Sequence, residues 1–225
     1  MGHTTYGDFI RAQREQRGLS QQHVANELRV SRSTYLSVEK GMKELSLKEA
    51  DALSRLFGIT VDELLQNQVP DVHKYKQMIH AFLRQEGRFT KTKLAKLLYF
   101  ADFAWFYKNL ESMSGMSYRK IQYGPVADAY FRVIDEMFDA GEINIERTDE
   151  GAMIISETRS GKKVPLSSIK PEEEKLIEKI AKKWAHKRTG EVVDFTHKQL
   201  PYMFAEQNEI VSYEIFGQEN PNEIF

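Results

Sequence analysis

The stretch between two glycines constrains this chain most: Gly18-Leu19-Ser20-Gln21-Gln22-His23-Val24-Ala25-Asn26-Glu27-Leu28-Arg29-Val30-Ser31-Arg32-Ser33-Thr34-Tyr35-Leu36-Ser37-Val38-Glu39-Lys40-Gly41. Apolar residues recur in it at helical spacing twice, with a break between. Val24, Ala25 and Leu28 fall on one face of a first short helix, Tyr35 and Val38 on one face of a second, and Val30 plugs the turn. Ser20 and Ser31 stand where each helix begins and can accept a free amide of its first turn. Ala25 is small where the two helices must cross closely, which fixes the angle at which the second projects. The outward face of that second helix then holds Arg32, Ser33, Leu36, Ser37 and Lys40.

The same punctuation continues on both sides. Gly58 joins Gly18 and Gly41 as a residue that tolerates the left-handed backbone at a helix end, and Ser46 and Thr60 join the serines as N-caps. Helices are therefore predicted over residues 5–17, 20–28, 31–40, 46–57 and 60–66, with no competing strand pattern. Asn67-Gln68-Val69-Pro70-Asp71 is polar and broken by Pro70, which places a joint at 67–71, too short for a free tether. Beyond it the pattern predicts helices over 72–85 and 91–108, and another opened by Pro125 that runs through Ala140. Ile143-Asn144-Ile145-Glu146 alternates, and Asp149-Glu150-Gly151 turns into Met153-Ile154-Ile155, a small β-hairpin. Pro171 opens a last long helix, with solvated Glu172, Glu173 and Glu174 at its start and Lys182, Lys183 and Lys187 toward its end. Residues 218–225 read as an irregular tail. The expected fold class is mainly α: a five-helix domain over 1–66 and an α-rich domain with a small β-hairpin over 72–217.

Composition supports two cored domains rather than disorder, with 225 residues, 41% of them hydrophobic and 29% charged. No apolar run approaches the roughly 18 residues a membrane span needs, and the Met-Gly-His-Thr-Thr start lacks a secretory pattern. Cysteine is absent, which removes disulfides and thiolate zinc sites and fits a cytoplasmic protein. With a formal net charge of -1, any cations that meet nucleic acid must be gathered on one face.

The outward face described above suits a major groove. Arg32 can fork onto guanine O6 and N7, Ser33 and Ser37 can donate or accept, and a thymine methyl would give Leu36 a reason for exposure. Gln21 at the positive start of its helix, with Ser31, Lys40 and Lys43, is placed for phosphates. The alternative reading of these residues is a bundle used only for protein contacts. From Tyr6 to Leu65 the chain resembles the Xre/Cro family of phage-repressor helix-turn-helix domains. The Ser20-Gln21 opening, the Val30-Ser31-Arg32-Ser33-Thr34 run and the Glu39-Lys40-Gly41 close carry the likeness. The resemblance implies double-stranded operator DNA as partner, a homodimer that reads two half-sites, and a structural ion pair between Arg14 and Glu39. Arg29 stands where the family turn carries glycine, so left-handed strain is expected there.

In the second half, Leu94, Leu97, Leu98, Ala101 and Trp105 recur at helical spacing, a core stripe that could alternatively form an aromatic ligand cage. Tyr123-Gly124-Pro125 is either a rigid turn or a recognition loop, and these three residues are the partner-binding candidates. The Lys96-Leu97-Leu98-Tyr99-Phe100-Ala101-Asp102 run, Tyr123-Gly124-Pro125-Val126, Thr196-His197-Lys198 and Ile210-Val211-Ser212-Tyr213-Glu214 resemble the Panacea, or SocA-like, antitoxin domain. That resemblance implies a protein toxin as partner, neutralised by direct binding, and in one branch of the family delivery of the toxin to a protease.

Chemistry for an enzyme is not visible. His73 and His80 lie seven apart and form no His-Glu-x-x-His pair. Ser156 occupies the first glycine position of what would be a phosphate loop ending at Lys162, and no Gly-x-Ser-x-Gly elbow occurs. His197 near Asp194 reads as a structural histidine. No metal or other cofactor is expected. The sequence thus reads as a cytoplasmic antitoxin that neutralises its toxin and represses their shared operon. The alternatives are a repressor whose second domain senses a small molecule or mediates assembly, and a proteolytic adaptor.

Overall fold

Apolar residues three and four apart, started by serines and stopped by glycines, build the N-terminal part of the chain. The computed structural model describes residues 6–59, 61–65, 70–216 and 223–224, and it divides into the units Met1–Pro70 and Asp71–Phe225. In the first unit α1 (Tyr6–Gln16), α2 (Gln21–Glu27), α3 (Arg32–Glu39), α4 (Leu47–Phe57) and α5 (Val61–Leu65) enclose a core that includes Ile10, Val24, Ala25, Tyr35, Leu53 and Phe57. Ser20, Ser31 and Ser46 accept the amides of His23, Thr34 and Glu49. Glu49 in turn accepts from the Ser46 amide at 2.7 Å, completing a capping box. Gly18, Gly41 and Gly58 all take positive φ. A residue without a signal in the pattern is Gly7: a Cβ there would stand 2.4 Å from the Glu39 carbonyl oxygen, so its absence lets α1 close onto the end of α3. The Thr60 cap, residues 67–69 of the joint and residues 218–222 of the tail lie outside the described residues.

In the second unit α7 (Lys91–Asn109) runs through the centre, and every residue from Lys93 to Trp105 is buried, as in helices covered on all sides. Its rings pack on one another and on their neighbours: Tyr99 on Phe103 at 4.2 Å, and Phe103 on Tyr213 at 4.0 Å. The aromatic stripe is therefore core. Around it lie α6 (Val72–Glu86), α8 (Tyr130–Asp139), α9 (Pro171–Trp184), α10 (Thr189–His197), α11 (Leu200–Phe204) and α12 (Tyr213–Phe216). The hairpin of β4 (Ile143–Arg147) and β5 (Met153–Glu157) is present, and β1 (Arg88–Thr90) extends it into an antiparallel sheet of order β1-β5-β4. His80, fully buried on α6, ties that helix to the hairpin through Glu157 at 2.7 Å and Glu142 at 3.1 Å. Among the described residues no helix is long and apolar enough to cross a membrane.

Three local expectations need correction. Pro125 does not open a helix; it lies in β3 (Gly124–Ala127), which pairs with β2 (Tyr118–Ile121), and the next helix starts at Tyr130. The Pro125 carbonyl accepts from Lys96 Nζ at 2.8 Å, so its backbone turns away from β2 and no ladder donor is lost. Glu173 is not solvated. It is fully buried, where it accepts from the Lys170 amide at 2.8 Å and from Lys74 Nζ of α6 at 2.7 Å. Finally, α9 ends at Trp184, which leaves Lys187 beyond it.

Candidate nucleic-acid interface

The geometry of α2 and α3 follows from the turn between them. Val30 donates to the Ala25 carbonyl at 3.0 Å and Arg29 to that of Asn26 at 3.0 Å. Arg29 takes φ 55, the left-handed conformation expected from its place in the turn. Ala25 is fully buried at the crossing, and α3 is left with an outward strip in which Ser31, Arg32, Ser33 and Lys40 are exposed and Leu36 and Ser37 half-buried.

A chain of hydrogen bonds fixes the strip from below. Arg14 Nε donates to Glu39 Oε1 at 2.6 Å, and its Nη1 to the Leu19 carbonyl at 3.1 Å. The ion pair implied by the family likeness is thus present. The Glu39 side chain is fully buried. Burial opposes its ionisation, but the bonds from Arg14 and then Gln21 outweigh that and hold the carboxyl below the usual carboxylate range. Gln21 Nε2 donates to Glu39 Oε2 at 2.9 Å, and its Oε1 accepts from Arg32 Nη2 at 3.0 Å. Gln21, placed by the sequence for a phosphate, is therefore a bridge that holds the Arg32 guanidinium to the buried pair. Sequence periodicity cannot reveal such a bridge, because it joins residues eleven apart across a turn.

The remaining candidates are placed as follows. The Ser31 hydroxyl caps α3 and lies 2.8 Å from the Ser33 hydroxyl, and Ser37 Oγ donates to the Ser33 carbonyl at 3.1 Å. Lys40 caps the end of α3 and is exposed. Lys43 is engaged by Glu49 at 2.9 Å, which reduces the charge it can offer. The sequence reading assigned nothing to Met42 and Leu47, yet both are strongly exposed just past α3. They add apolar surface beside the strip.

In the second unit the structure separates the three partner candidates. Tyr123 is 59% exposed, whereas Gly124 and Pro125 are buried. Gly124 sits at φ 90, and a Cβ there would stand 2.5 Å from Thr196 Oγ1 and 3.0 Å from Lys96 Cε. Lys96 is itself fully buried, and burial lowers its pKa to about 7. Asp102 anchors the next loop, accepting from the Ser114 amide at 2.7 Å and from the Tyr118 hydroxyl at 2.7 Å. These motif residues build the scaffold behind Tyr123. His197 stacks on Tyr202 at 4.6 Å.

These features define a helix-turn-helix regulator joined to an antitoxin-like domain. Residues 10–64 match the helix-turn-helix family, and residues 94–201 match the family described as antitoxin SocA-like, Panacea domain. Among individual proteins, the cryptic phage CTXphi transcriptional repressor RstR of Vibrio cholerae is 33% identical over 67 residues. That match covers 30% of this chain and 60% of the repressor. No solved structure matches the chain.

Proposed function

We propose that the chain is the antitoxin of a toxin–antitoxin pair: residues 71–225 bind and inactivate a protein toxin, and the first unit represses the operon that encodes both. The observation that carries the DNA reading is Arg32, held through Gln21 on the exposed strip of α3. In this reading Arg32 forks onto a guanine, Ser33, Ser37 and Leu36 read neighbouring base edges, and Ser31, Lys40, Lys43 and Gln21 lie along phosphates. A homodimer presents two such helices to half-sites about 34 Å apart. The toxin-binding reading is supported by the Panacea match and by Tyr123, exposed on a rigid hairpin.

The test is co-expression with the product of the neighbouring gene, scored by growth and by co-purification. The reading expects that product alone to arrest growth, and this chain to restore growth and to co-purify with it. Arrest without rescue contradicts direct neutralisation. Rescue that needs a cellular protease shows an adaptor instead.

A further inference from the structure

Strand β4 lies at an edge of the three-stranded sheet, and the phase of its ladder fixes which backbone groups face outward. Thr148 donates to the Ala152 carbonyl at 2.9 Å, and Thr158 to that of Glu142 at 3.0 Å. Bonded residues alternate along an antiparallel pair. Residues 142, 144, 146 and 148 therefore bond toward β5, and Ile143, Ile145 and Arg147 turn their N–H and C=O groups away from it. Among the described residues nothing pairs with those groups. Edges of this kind are normally blunted or covered. The opposite edge is blunt, because β1 has three residues and runs straight into α7. β4 has five residues and no proline, and Asn144, Glu146 and Arg147 are exposed along it.

We propose that β4 pairs with β4 of a second copy of this chain, antiparallel about a twofold axis at Ile145, merging the two sheets. Symmetry and phase together choose this register. Centring on Ile145 pairs all three outward residues: Ile145 with its mate, and Ile143 with Arg147 in both directions. Asn144 then stands opposite Glu146 of the second copy, and no like charges meet, which would destabilise such a pair. A second observation also favours another copy as the occupant. α8 packs on the core side of β4, and Phe131 and Phe138, seven residues apart on it, remain 50% and 49% exposed. The twofold carries the second α8 to the same side of the joined sheet, where it can cover them. This interface supplies the dimer of the proposed repressor, but the argument for it rests on the sheet edge alone.

Sedimentation equilibrium of the full chain, without DNA or toxin, tests it. The wild type is expected to be a dimer at micromolar concentration. Asn144→Glu places glutamates opposite each other twice per dimer and should raise the dissociation constant about tenfold. Adding Glu146→Lys should restore it, because each introduced glutamate then meets a lysine. Ile145→Pro removes an outward N–H without touching the β4–β5 ladder, and should give a folded monomer by circular dichroism. A monomeric wild type, an Asn144→Glu chain as dimeric as wild type, or a charge pair that restores nothing overturns the interface. None of these outcomes depends on DNA binding, so failure here leaves the repressor reading standing.

Discussion

Arg14 and Glu39 carry both the stability and the aim of the DNA strip. Removing Arg14 leaves the Glu39 carboxylate buried without its cation, so Arg14→Ala should cost the first unit about 3–5 kcal/mol. Urea denaturation of residues 1–70, which hold their own core, measures this. The same carboxyl sets an acid limit. Its folded pKa lies below the unfolded value of about 4.3, so the stability it contributes is complete above that pH and lost as pH falls through the lowered value. Glu39→Gln should remove that part of the acid-unfolding slope, seen by repeating the denaturation between neutral and acidic pH. At the surface the two cations of α3 should behave differently. Arg32→Ala should cost about 1–3 kcal/mol on the operator and little on scrambled DNA. Lys40→Ala should weaken both equally and flatten the salt dependence. Binding isotherms at several salt concentrations separate the two, and equal losses on both DNAs for Arg32→Ala contradict base reading by that residue.

At the level of elements, close backbone approaches decide what the side chains can do. Gly124 combines a positive φ with a Cβ position 2.5 Å from Thr196 Oγ1. Gly124→Ala should therefore destabilise the second unit by about 1–3 kcal/mol, the usual cost of overpacking. Thermal unfolding followed by the Trp105 and Trp184 fluorescence reports it. The elements legible in the sequence were those with long periodic signals or strong punctuation: α1 to α4 with their serine caps and glycine stops, α7 with its apolar run, and the β4–β5 hairpin with its Gly151 turn. Short strands escaped. Three residues of β1 cannot show alternation, and in β2–β3 the Gly124-Pro125 step looks like the start of a helix. Which way the Pro125 carbonyl faces is decided by Lys96, twenty-nine residues away. The site was legible as a set of outward residues on α3. Its wiring through Gln21 was not, because hydrogen bonds across a turn leave no periodic trace.

As a whole molecule the chain holds two separate apolar cores, one on each side of the joint. Two cores of this kind are expected to fold independently, which makes the two activities separable. A fragment of residues 71–225 should be folded by circular dichroism, whereas residues 1–66 alone should bind operator weakly if the dimer contacts lie in the second unit. The most direct measurement of the central claim uses one strain that carries the neighbouring toxin gene under an inducible promoter and a reporter fused to the operon promoter. Growth and reporter output are read together for the full chain, for Arg32→Ala and for residues 71–225. The account predicts growth with all three, and repression of the reporter by the unaltered chain alone. A folded fragment of residues 71–225 that leaves growth arrested, while the full chain restores it, would contradict the assignment of toxin neutralisation to the second unit.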